Sequence, residues 1–83
     1  MIKRVLRKNI VSTHELSLVA SLLAWGFSPI AIDKTDPKKV IFSFSGSQKL
    51  NSAVQTYWND TGIVTPKKYF NALRDAKSRI YGG

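Results

Sequence analysis

The sequence predicts an α+β domain: a small antiparallel sheet of two or three strands packed with three helices, in the order (β)-α-β-β-α-α. Three observations carry that expectation. Apolar residues recur at helical spacing in two separate segments, Leu16, Val19, Ala20 and Leu23 in the first and Tyr69, Leu73, Ala76 and Ile80 in the last. Between them Val40, Phe42 and Phe44 share one side with Ser43 opposite, the period of a strand. Hydrophobic residues make up 43% of the 83, with four Phe, three Tyr and two Trp among them, enough apolar surface for one core. The length suits one domain over residues 1–83, of a size that buries only about 60–65% of its unfolded surface.

Each element has its own justification. Residues 2–11 mix charge with Ile2, Val5, Leu6, Ile10 and Val11, and read either as a strand or as a basic arm, flexible over residues 1–8. Ser12-Thr13-His14-Glu15 has the spacing of a capping box: the Ser12 hydroxyl can accept the Glu15 N–H and Glu15 can reach back. Val11 and Leu16 then stand at the staple positions. A helix is expected from Thr13 to about Trp25, its apolar arc widened by Leu18, Leu22 and Trp25, with Gly26 as its left-handed stop. A helix so apolar should be covered on most sides, by the sheet and by a second subunit as a further candidate.

Strands are expected at Ser28–Lys34, with Ile30 and Ile32 on one face, and at Val40–Ser45. Thr35-Asp36-Pro37-Lys38-Lys39 between them supplies turn chemistry for an antiparallel hairpin. Gly46 breaks the second strand and Ser47 can cap a second helix, whose buried stripe is Leu50, Ala53, Val54, Tyr57 and Trp58. Asn59-Asp60-Thr61-Gly62 ends it. Thr65 and Pro66 mark the N-cap and first position of a third helix, whose apolar face is widened by Phe70 and Ala72.

Several of these residues together resemble a family of small uncharacterised prokaryotic and phage domains. They are Thr13-His14-Glu15-Leu16, Leu22-Leu23, Gly26-Phe27, Phe42-Ser43-Phe44, and the closing Tyr69-Phe70-Asn71-Ala72-Leu73-Arg74 with Lys77 and Ile80-Tyr81. The likeness spans roughly residues 12–81 and rests on core and cap positions. It implies a bacterial, phage or mobile-element setting and no particular chemistry.

The strongest functional signal is charge. Thirteen Lys and Arg oppose five Asp and Glu, a formal charge of +8. Small basic domains commonly meet a polyanion. The cations gather at Lys3, Arg4, Arg7 and Lys8, at Lys38 and Lys39, and on the last helix. There Lys67, Lys68, Asn71, Arg74 and Ser78 form one polar face flanked by Lys77 and Arg79. Lysines at the second and third helical positions are the wrong sign for the helix dipole, and a bound anion beside free N–H groups would offset that penalty. Asn71 and Arg74 are types that pair with adenine and guanine edges. The short link between helices 2 and 3 also admits a helix-turn-helix-like pair. The same face reads equally as the solvated side of an ordinary amphipathic helix. Lys38 and Lys39 read as phosphate contacts or as turn solubilisers that protect a sheet edge.

Chemistry of other kinds finds little support. The acids Glu15, Asp33, Asp36, Asp60 and Asp75 suit caps, turns or, for Asp75, helical ion pairs with its basic neighbours. His14 is the single histidine, no cysteine is present, and no Gly-rich phosphate loop occurs. The expectation is therefore no enzyme, no cofactor and no metal. The longest apolar stretch, Leu16 to Phe27, is about 12 residues where a membrane span needs about 20. Met1-Ile2-Lys3-Arg4 resembles the basic start of a leader, but Arg7, Lys8, Asn9, His14 and Glu15 interrupt the apolar run that should follow, so a cytoplasmic protein is expected. The leading function is binding of nucleic acid, duplex DNA foremost, through the C-terminal helix and N-terminal arm. The alternative is a phage or mobile-element accessory module docking on an acidic host protein, with Leu18, Leu22 and Trp25 as contact surface, or a homodimer through the first helix.

Overall fold

Strand pairing, not capping, decides where the first helix begins. A computed structural model describes residues 10–81, with elements β1 (Ile10–Thr13), α1 (Leu16–Ala24), β2 (Ala31–Asp33), β3 (Ile41–Ser45), α2 (Gln48–Trp58) and α3 (Pro66–Tyr81). The order β-α-β-β-α-α and the antiparallel pairing are those expected. The capping box is not formed. Ser12 and Thr13 are drawn into β1, opposite Ser43 and Phe42, and the Ser12 and Ser43 hydroxyls bond to each other at 2.9 Å. Thr13 Oγ1 accepts the Glu15 N–H instead, and α1 starts three residues later than the spacing predicts. Residues 10 and 11 belong to β1; the proposed arm lies outside the described residues.

β3 is the central strand, with β1 and β2 antiparallel on its two sides. The link through α1 therefore carries the chain across β3. Val11, Ile32, Phe42 and Phe44 face the helices, and Val40, Phe42 and Phe44 are buried as their alternation predicts. The β2–β3 turn is built as expected: Asp36 C=O accepts the Lys39 N–H and its carboxylate the Lys38 N–H, with Pro37 between. β2 is shorter than predicted. It is an edge strand entered through Pro29, and only Ile32, opposite Phe42, is covered by the core; Ile30 is exposed.

α1 is the hub. Five consecutive residues, Leu18 to Leu22, are buried, and α1 packs on α3 and on α2. Leu18 and Leu22 are 2% and 0% exposed. The surplus apolar arc assigned above to a partner or a homodimer is thus covered by the same chain. α2 and α3 both pack on α1 and have no substantial contact with each other, so they do not form a helix-turn-helix pair.

Both helix C-termini close alike. After α1 the Gly26 N–H donates to Leu23 C=O and the Phe27 N–H to Leu22 C=O, with Gly26 left-handed at φ 98°. After α2 the Asp60 and Thr61 N–H groups repeat the pattern onto Tyr57 and Thr56, and Asp60 takes the left-handed place at φ 60°. The loop that follows is pinned by Trp25, whose Nε1–H donates to Ile63 C=O at 3.0 Å. Gly62 lies so close to that indole that a Cβ there would come within 2.5 Å of it. Trp58 departs from the expected buried stripe. At the last position of α2 it stands edge-on to Tyr57 and is 58% exposed, whereas Leu50 fills the core.

Candidate nucleic-acid interface

α3 starts as its sequence dictates. Thr65 caps it, with Oγ1 accepting the Lys68 N–H at 3.3 Å, and Pro66 has no N–H to satisfy. The first turn therefore offers an anion fewer free donors than the sequence suggests. Its inner side is made of Ala72 and Ala76, the two buried residues of the helix, with Tyr69, Leu73 and Ile80 half-buried beside them. Small residues at the contact let α3 lie close against α1. The contact arc is centred on the alanines, well round the helix from Phe70, so Phe70 does not widen the core; it is 58% exposed.

The candidate cations separate into two sets. Lys67, Arg74 and Lys77 are exposed and lie with Phe70, Ser78 and Tyr81 on the outward arc of α3. The Arg74 guanidinium lies over the Phe70 ring, 5.8 Å from its centroid. Lys68 and Arg79 turn instead toward α1. With Asp75 they line a groove whose other wall is Leu23, Ala24, Gly26, Phe27 and Ser28, and Asn71 sits at its shoulder. Arg79 is held there by Asp75, Nε to Oδ1 at 3.3 Å and Nη2 to Oδ2 at 3.4 Å, the helical ion pair expected for that aspartate. It is the only salt bridge among the described residues.

Lys38 and Lys39 are brought to the same helix. Their turn forms a cleft with His14, Leu16, Ile80 and Tyr81, so the hairpin tip abuts the C-terminal end of α3. Lys3, Arg4, Arg7 and Lys8 lie outside the described residues. Glu15, read as a cap partner, sits at the N-cap position of α1 without capping it, and its carboxylate accepts the Tyr57 hydroxyl at 3.3 Å while Tyr57 also bonds Ser17. Asp33 is the last residue of β2, at the turn that follows it. Hydrogen bonds from the Thr35 side chain and backbone hold its carboxyl below the usual aspartate value.

Sequence reading missed the outward aromatic pairing, because Phe70 falls next to the apolar stripe by periodicity. Its signal was available in the i, i+4 spacing of Phe70 and Arg74. Among the described residues no cluster of His, Asp and Glu could hold a metal ion, and no helix is long and apolar enough to cross a membrane. No curated protein and no solved structure matches the chain. The sequence model of a family described as a domain of unknown function, DUF5659, matches residues 8–82, and the chain belongs to that family.

Proposed function

We propose that this protein binds nucleic acid, duplex DNA foremost, through the outward face of α3, as a cytoplasmic protein. One observation carries the reading: Lys67, Arg74 and Lys77 stand exposed along one helix face without an acidic partner among the described residues, and the Lys38–Lys39 turn extends that row at the helix end. Opposite charge would be met by phosphates spaced along a backbone, and Lys3, Arg4, Arg7 and Lys8 would add to it. Neutralising about five to seven phosphates makes the affinity fall with a log–log salt slope near −0.9 per phosphate. Titration of the full chain with a duplex at two salt concentrations tests this. A steep loss on raising salt is expected; binding indifferent to salt, or absent at low salt, overturns it.

Docking on an acidic protein is the second reading. The observation in its favour is a cleft of about 390 Å³ lined by Trp25, Phe27, Ala53 and Ile63, with Ile63 87% exposed. A complex that survives nuclease treatment and is weakened by Ile63→Ser, while duplex affinity is unchanged, would select it.

A further inference from the structure

We propose that Arg74, held against Phe70, reads a base edge in the major groove of duplex DNA, guanine foremost, so that binding is sequence-selective. The inference rests on the nucleic-acid reading above and names what that face recognises. Arg74 differs from the other arginine of α3. Arg79 gives two hydrogen bonds to Asp75, whereas Arg74 makes no hydrogen bond and no ion pair to a group among the described residues. The guanidinium lies over an aromatic ring one turn earlier in the helix, 5.8 Å from its centroid, a contact that favours this placement of the side chain. A planar fork of donors that lies beside an aromatic ring and is left unpaired suits a planar pair of acceptors. Guanine O6 and N7 present such a pair in the major groove.

The surroundings fit a base contact at the centre and phosphate contacts at the ends. Lys67 precedes Arg74 by two turns, about 10 Å along the axis, and Lys77 follows it by three residues. The Lys38–Lys39 turn lies beyond, at the end of the helix. An α-helix about 10–12 Å across is the width that the major groove of B-DNA admits, while the deep, narrow major groove of A-form RNA excludes it. Asn71, exposed at the shoulder, is the type that pairs with adenine, and the exposed part of the Phe70 ring can meet a thymine methyl.

Selection of the full chain on a randomised duplex DNA pool, followed by titration of wild type and two variants, tests this. The enriched duplexes should share a short element containing guanine, bound at least about tenfold tighter than a scrambled duplex of equal length. Arg74→Lys keeps the charge but loses the fork, and should reduce that preference about tenfold while scrambled-duplex affinity changes less than about twofold. Phe70→Leu should reduce it by a smaller factor. Equal affinity for selected and scrambled duplexes overturns the inference and leaves nucleic-acid binding standing. Equal weakening of both by Arg74→Lys makes Arg74 a phosphate contact and also overturns it. Absence of binding to any duplex removes both.

Discussion

α1 and α3 lie against each other and use their side chains in opposite ways. α1 buries Leu18 through Leu22 without interruption, so that stretch has no outward face. α3 buries only Ala72 and Ala76 and leaves half its circumference to solvent. From sequence, α1 looks like the helix in search of a partner, because it is apolar on most sides. The fold shows that in this chain of 83 residues the most apolar helix marks the centre, and that the exposed cationic face belongs to the amphipathic helix beside it.

Substitutions separate the two helices most sharply. Leu22→Ala should lower stability by about 2–5 kcal/mol in urea denaturation, while Lys77→Ala on the outer face of α3 should stay within about 0.5 kcal/mol. Similar costs would erase the distinction. Next in size is the seam where the α2–α3 loop meets α1. Gly62→Ala places a methyl 2.5 Å from Trp25 Cζ2, on a ring tethered to Ile63 C=O, and should cost about 1–3 kcal/mol. In a Trp25→Ala background most of that cost should vanish, since the clash partner is gone. Asp60→Gly should work the other way. It relieves a left-handed aspartate at the close of α2 and should raise the urea midpoint by about 0.5–1 kcal/mol equivalent without changing the slope. The smallest effect concerns Asp33, at the end of the edge strand β2. Its folded-state titration is depressed, so its contribution is present above the unfolded value near 3.8 and is lost as pH falls through the lower folded value. Asp33→Asn should therefore melt slightly earlier than wild type at pH 7, and the gap should close as pH falls below the unfolded value and through the lower folded one.

Most of the fold was legible because local rules and tertiary packing agreed. Ser47 and Thr65 cap helices, Gly26 stops one, and Phe42 and Phe44 face the core, as their spacing dictates. The misreadings share one cause, competition from distant partners. Ser12 could cap a helix or pair with Ser43, and the sheet took it. Leu18 and Leu22 looked surplus until α2 and α3 both settled on α1. Phe70 and Trp58 sit beside apolar stripes in sequence, yet the contact arcs of their helices fall elsewhere. The candidate site was legible as a set of residue types. Which cations face outward and which, like Arg79, are already occupied depends on how α3 is rotated against α1.

The most direct test of the central claim uses the first turn of α3. Lys67→Glu with Lys68→Glu replaces cations by anions at a helix N-terminus, which acids suit better. Duplex affinity at low salt is to be measured beside the melting temperature. The account predicts affinity at least about tenfold weaker with melting unchanged or raised. Affinity equal to wild type in a folded double variant would contradict it.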